Sequence, residues 1–445
     1  MTAADLAAAD TFLADHPDLE AVEFVMADPC GILRGKWGPA SSLRKAYRDG
    51  VNFPLSLHGL DAWGREVPAT GYHIESGDRD GVCRPVAPPR ATPWAKRRTA
   101  TVHLSSWHAD GRPLLGDPRQ ALVALLDRAA AEGFEPVTAF ELEFHLIAPD
   151  AVPPEPVSQS AGARRGDVAW QAMYEHDRLG ELGALWDAIR AAADAFEIPI
   201  DTIVNEAGPG QFEINLGHGP ALAAADDALM LRHVVRECAR AQGLKATFMA
   251  KPFADQPGNG CHIHMSLLDR EGTNAFGRDR ALLKSAIAGT LEHMPASMLG
   301  LVNSWNGFRR FRPGSYAPTR AVWGDNNRSV AVRVPVSGEK DARLEHRLAG
   351  ADACPYVAMA LVLAAALDGI ERGLPAPPAM DGNAYDGGGD TLSADPLAAL
   401  RAHAASDFVR DALGEELAAN LHAILAQEFD TLAEVIPPLE HETYL

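Results

Sequence analysis

At 445 residues the chain has room for two or three domains of ~150 residues each. Hydrophobic residues at 47% and charged residues at 22% are the proportions of a packed globular protein, which excludes disordered, collagen-like and coiled-coil classes. Forty Lys and Arg against 60 Asp and Glu leave a formal charge of −20, so no general positive field draws nucleic acid or an anionic membrane; a nucleotide would need local arginines or a metal ion.

The acidic start MTAADLAAADTFLADHPDLE lacks the basic and apolar regions of a signal peptide. Up to about residue 110 the chain reads as short strands (Ala21 to Ala27, Gly71 to His73, Thr99 to Leu104) between Gly, Pro and Asp turns, with a Pro-rich basic stretch from Arg84 to Arg98. GRPLLGDPRQ then opens a helix, with Asp117 as N-cap, Pro118 at the first helical position, Leu122, Leu125, Leu126 and Ala129 on one face, and Gly133 at its end. A boundary near 110 is expected, giving domains 1–110 and 111–445. Beyond it, helical patterns run over 178–196, 221–242, 281–293, 355–373 and 406–428. Strands are expected at Val137 to Leu146, Ile200 to Asn205, Gln211 to Leu216, Ala246 to Ala250, His262 to Leu267, Val330 to Val334 and Leu344 to Arg347. Pro149 to Asp167 reads as a long surface loop, and the whole as α+β, a sheet backed by helices. The apolar run Val357 to Leu367 is too short for a bilayer, which needs ~20 residues, and predicts a buried helix. Five scattered cysteines without a CxxC pair point to a reducing cytoplasm.

Several strands carry charge at alternate positions, hence on one face. Glu141 and Glu143 lie two apart, as do His262 and His264, and Glu345 and Arg347; Glu213 is mid-strand and Glu206 precedes it across the turn AGPG. A wet antiparallel face would give the same alternation. Buried together, such carboxylates need a counter-ion. A carboxylate-rich set with one or two imidazoles suits Mg²⁺ or Mn²⁺ better than zinc. Arg310, Arg312, Arg328, Arg333, Arg343 and Arg347 supply guanidinium forks for phosphate or carboxylate. Metal beside arginine is the equipment of phosphoryl transfer. GxxxxGK[ST] and GxGxxG are both absent, so a nucleotide would lie on the sheet surface. Residue chemistry alone reaches a metal-dependent, ATP-using enzyme.

The ordered set ELEF, NEAGPGQFEINL, GNGCHIHMSL, NSWNGFRRFRPGSYAPT, DNNRSVAVRVP and ARLEHRLAGADACPY resembles the class I glutamine synthetase superfamily from about residue 20 onward. VNFPLSLHGLDAWG, FMAKPF and DGNAYD are similar to its γ-glutamylpolyamine (γ-glutamylputrescine) branch. The resemblance implies an N-terminal β-grasp domain, a catalytic domain and a dodecamer of two stacked hexameric rings with sites between subunits. It implies two metals per site, one on Glu143, Glu206 and Glu213, the other on Glu141, His262 and Glu345. By the same resemblance Arg328 and Arg333 contact phosphate, His264, Ser266 and Arg343 lie in the ATP pocket, and Gly258, Arg310 and Arg347 hold glutamate. Where ammonia-using members have PGYEAP, this chain has PGSYAP, with Tyr316 in the place of the glutamate; Pro54 aligns with the ammonium-binding aspartate, and Pro257 stands where an asparagine touches glutamate. These departures point away from ammonia and toward an amine bearing carbon, with Asp61 and Glu66 as nearby carboxylates for a second ammonium. Glu206 or solvent water is the candidate base. Tyr385, His58, Cys261, Trp305 and Trp323 are read as surface, loop or packing residues. The competing readings are a glutamate–amine ligase, an ammonia-using glutamine synthetase and a non-catalytic paralogue.

Overall fold

The computed structural model of this protein describes residues 3–151, 154–157, 164–165, 168–169 and 173–445. Most of the expected loop from Pro149 to Asp167 lies outside them. The first unit is a sheet in the order Leu33–Pro39, Ala21–Ala27, Thr99–Trp107, Asp80–Pro85, Val51–Pro54, with Arg90–Ala91 also paired to Thr99–Trp107. Ala21–Ala27 and Thr99–Trp107 are parallel neighbours. Helices Ala3–Asp15 and Ser42–Asp49 accompany it, and Phe24, Leu43, Tyr47, Phe53, Val102 and Leu104 form a core of their own. Gly71 to His73 is not a strand. Pro68–Thr70 makes a 3₁₀ turn that ends at Gly71 with φ 75°, a left-handed value that breaks extended pairing.

The larger sheet runs Ile200–Asn205, Gln211–Leu216, Glu135–Ile147, Cys261–Leu268, Leu344–His346, Val332–Val334, Trp323–Asp325, antiparallel except for its last pair. The short strands Gly219–Pro220 and Lys245–Thr247 also pair with Glu135–Ile147. Along that long strand Phe140, Leu142, Phe144 and Leu146 are buried in the main core, so Glu141, Glu143 and His145 share the opposite face. Pro118–Glu132 starts where expected: the Asp117 carboxylate accepts from the Arg119 amide at 2.8 Å, and Gly133 closes the helix at φ 93°. Helices Pro118–Glu132 and Ala221–Ala241 pack behind the sheet, and Arg280–Leu301 packs along Pro355–Glu371, which contains the apolar run and is buried almost throughout.

Three helical readings need correction. The 178–196 pattern is two helices, His176–Glu181 and Gly183–Phe196, broken at Leu182. The 406–428 pattern is broken at Gly414 into Asp407–Leu413 and Glu415–Ala433. The helix expected to stop at 293 continues to Leu301 with Pro295 inside it, because Met294, Met298 and Leu301 are buried in the core and outweigh the lost backbone bond. Among the described residues no helix is long and apolar enough to cross a membrane.

Candidate active site

Strand register builds the site. Glu213 lies opposite Glu143 and Asn215 opposite Glu141; on the other side His262 lies opposite Glu141, and His264 opposite Glu345, which in turn faces Arg333. Period-two alternation therefore brings these side chains from five strands to one face. Ligand atoms of Glu141, His262 and Glu345 lie within 4.8 Å of one another, as do those of Glu143, Glu213 and His262. His262 belongs to both groupings. Glu206 lies outside these close groupings and lines the same cavity as Glu143 and Glu213.

The electrostatics of this face are unbalanced. The Glu141 carboxylate accepts from His262 Nδ1 at 2.9 Å and His264 Nε2 at 2.8 Å; burial raises its pKa, but these bonds and the two imidazoles carry it well below the usual range. Glu345, buried, pairs with Arg347 and, at 2.7 Å, with Arg333; burial is outweighed chiefly by Arg347, and its pKa falls to about 2. Glu213 goes the other way, pushed up to about 9 by burial and then by Glu141, Glu143 and Glu206. Glu206 is raised to about 7 by burial and by Glu143. Crowded oxygens with more negative charge than their arginines offset are the donor set a hard divalent cation fits.

A cavity of about 220 Å³ opens on this face, lined by Glu141, Glu143, Glu206, Glu213, Gly258, His262, Arg310, Arg328 and Arg347. A Cβ at Gly258 would lie 2.6 Å from the Ala250 carbonyl oxygen and 2.7 Å from Arg310 Cγ, so only glycine fits there. A second cavity of about 690 Å³ adjoins it and is lined by Glu141, Asn215, His264, Ser266 and Arg343 among others. Arg343 Nε donates to His264 Nδ1 at 3.1 Å, and the ring's Nε2 bonds Glu141. Ser266 donates to the Ala342 carbonyl at 3.0 Å. Arg333 lines neither cavity; it is engaged by Glu345 and, at 2.7 Å, by Asn326.

Tyr316 stands at the mouth of the first cavity, 66% exposed, with φ 59°. A left-handed tyrosine is strained and persists only where its surroundings impose it. Here Ser315 Oγ donates to the Arg310 carbonyl at 2.8 Å, and Tyr385, half-buried, donates to the Ala317 carbonyl at 3.1 Å. Tyr174, also at φ 59°, and Met173 face the same cavity; neither was singled out from sequence.

Asp61 does not join this site. It is fully buried, accepting from the Trp63 and Arg65 amides, from Arg65 Nε at 2.7 Å and from Gln427 Nε2 at 3.0 Å, so it has no free oxygen for a substrate ammonium. His58 is likewise buried, bonded to Ser106 Oγ at 2.9 Å, rather than solvated in a loop. Pro54 and Glu66 line neither cavity. Cys261 and Trp323 are packing residues, as expected, and Trp305 packs against Phe429.

Residues 115–444 match the family model described as glutamine synthetase, catalytic domain. The chain belongs to the glutamine synthetase family. It is 36% identical to γ-glutamylputrescine synthetase PuuA of Escherichia coli (strain K12), over 98% of this chain and 93% of that protein. With γ-glutamylethanolamide synthetase GlnA4 of Streptomyces coelicolor (strain ATCC BAA-471 / A3(2) / M145) it shares 31% identity, over 95% and 92%. Among solved structures, apo GmaS without ligand superposes with a TM-score of 0.83 at 28% identity, covering 97% of this chain and 98% of that one.

Proposed function

We propose that this protein is an ATP-dependent ligase that joins the γ-carboxylate of L-glutamate to an amine through γ-glutamyl phosphate. The observation that carries this reading is one carboxylate–imidazole face opening into two adjoining cavities, with Glu141 lining both. Two reactants can thus meet over one charged floor. ATP would enter the larger cavity beside His264, Ser266 and Arg343, and glutamate the smaller one beside Gly258, Arg310 and Arg347. Arg328 at the cavity wall would take the phosphate being transferred, with Arg333 fixing Glu345 behind it. Glu141, His262 and Glu345 would hold one Mg²⁺ or Mn²⁺, and Glu143 and Glu213, with Glu206 on the same cavity wall, a second. Bound there, the cations would neutralise the approaching carboxylate and phosphate and polarise the phosphorus–oxygen bond.

The chain's own groups account for the second half-reaction. An ammonium must lose a proton before it attacks the acyl phosphate, and Glu206, which lines the cavity with Tyr316, or a solvent water would take it. Tyr316 places an aromatic ring rather than a carboxylate at the mouth. The amine therefore gains from carbon, at ~0.8 kcal/mol per buried methylene. The substrate class we assign is a putrescine-like polyamine or a small monoamine; relatives named for putrescine and ethanolamide products support that class.

The N-terminal sheet with its separate core is read as the β-grasp unit, ending near residue 110 in the turn before Pro118–Glu132. Ring assembly, with a dodecamer as the expected form, is supported by exposed apolar residues at the C-terminal end: Val435, Ile436, Leu439, Tyr444 and Leu445. A cytoplasmic location accords with five free, buried cysteines. The test is glutamate-dependent ADP release with ATP, Mg²⁺ and single amines, the product identified by mass as a γ-glutamyl amide. No glutamate-dependent ADP release with any amine or with ammonia would overturn the reading.

A further inference from the structure

A polar cluster beside the carboxylates, whose member Gln211 lines the first cavity itself, is left unused by the mechanism above. His145 and Asn259 are fully buried and Gln211 is 1% exposed. The same period-two face supplies two of them: His145 follows Glu141 and Glu143, Gln211 precedes Glu213, and the two are paired across the strands. Asn259 donates from Nδ2 to the Met249 carbonyl at 2.8 Å, which turns its oxygen inward. That oxygen accepts from His145 Nδ1 at 2.9 Å and from Gln211 Nε2 at 3.1 Å. The second Nε2 proton of Gln211 goes to the Gly258 carbonyl at 3.0 Å, and its Oε1 accepts from the Gly208 amide at 2.9 Å. Every polar atom of Gln211 and Asn259 is matched, and each bond has one possible direction. Among the described residues His145 Nε2 has no partner; it faces Gly208, where an added Cβ would lie 3.0 Å from it and 2.8 Å from Gln211 Oε1.

We infer that Gln211, Asn259 and His145 form a positioning triad that locks two walls of the cavity to each other: the turn carrying Glu206 and the loop carrying Gly258. The Gln211 carboxamide is the bridge, holding one wall by its oxygen and the other by its nitrogen. Its main chain adds to this, since the Glu206 amide donates to the Gln211 carbonyl at 3.0 Å. Without the carboxamide, the Gly208 amide and Gly258 carbonyl lose buried partners and the walls can separate. The distance between bound glutamate and Glu206 is what such a bridge fixes, so the triad acts on glutamate affinity and on amine attack together. The ATP cavity touches none of the three residues. This inference rests on the functional reading above.

The experiment compares wild type with Gln211→Met, which keeps volume without hydrogen bonds, and His145→Phe, which removes only the outer bond. Each is measured for kcat and for KM of glutamate, amine and ATP, with glutamate binding by calorimetry on the same preparations. For Gln211→Met, KM for glutamate should rise about fivefold and kcat fall about tenfold, while KM for ATP stays within about twofold, because small misplacements at a reacting centre cost rate steeply. His145→Phe should shift the same parameters in the same direction by less, and it serves as the test if Gln211→Met does not fold. A general structural defect would lower the active fraction and leave every KM alone; that result, or an equal rise in KM for ATP, overturns the inference. Active wild type with variants matching it overturns this inference alone. Wild type that neither binds nor turns over glutamate overturns the functional reading, and the triad's role with it.

Discussion

Loading the apo protein with Mg²⁺ should expel protons. Glu213 is raised to about 9 by burial and neighbouring carboxylates, and Glu206 to about 7. At pH 7.5 the first is almost fully protonated and the second about one-quarter so. A divalent cation on this face needs ionised oxygens and supplies the charge the carboxylates lack, so binding should release about one proton per chain. The sign follows from competition: Mg²⁺ affinity falls as pH falls and rises about tenfold per pH unit for each proton released. Release should climb toward two protons near pH 6 and fade toward zero above pH 10, if the fold survives there. Calorimetry in buffers of different ionisation enthalpy reads this directly. Glu213→Gln should remove most of the release at pH 7.5. Saturable Mg²⁺ binding with no proton release at pH 7.5, or unchanged release in Glu213→Gln, would refute the account of a crowded, undercompensated face.

Tyr316→Glu should restore a carboxylate at the cavity mouth and shift kcat/KM toward ammonia over the best alkylamine by about tenfold or more; an unchanged ratio would remove Tyr316 from amine selection. His403 is buried, its pKa lowered from 6.5 to about 4 by burial, so the neutral ring stabilises the fold fully above pH 6.5 and that contribution is lost as pH falls toward 4; urea melts of His403→Gln should show a flatter acid limb. Phe429 is fully buried against Trp305 and Phe308, and Phe429→Ala should cost ~3–5 kcal/mol in denaturant titrations. Removing residues 435–445, with their exposed apolar side chains, should reduce the assembly seen by sedimentation and the activity with it.

How much of this was legible in sequence depended on local pattern. Ile200 to Asn205 and Gln211 to Leu216 match the observed strands because alternation of buried and polar residues is itself a strand signal. The carboxylate face followed from the same alternation. Extending it by one step, to His145 beyond Glu143 and to Gln211 before Glu213, would have found two of the three positioning residues. Their partner Asn259 sits in a loop without periodicity, and only the fold brings it there. Gly414 and Leu182 interrupt helical patterns whose apolar spacing continues across the break, so spacing alone joined what the backbone divides. Asp61 looked like an available carboxylate because its partner Gln427 lies 366 residues away in sequence. Tyr316 was noticed for its identity, while its left-handed backbone and outward ring are visible only in the structure.

The amine proposed for this family member bears carbon and takes the place of ammonia. The most direct measurement is competition in one vessel: enzyme, ATP, Mg²⁺, glutamate and equimolar ammonia, putrescine, ethanolamine and a small alkylamine, with γ-glutamyl products quantified by mass spectrometry. A γ-glutamyl alkylamide should exceed glutamine by about tenfold or more, as expected for an apolar mouth that favours methylenes. Glutamine as the dominant product would contradict it and make this protein an ammonia-using glutamine synthetase.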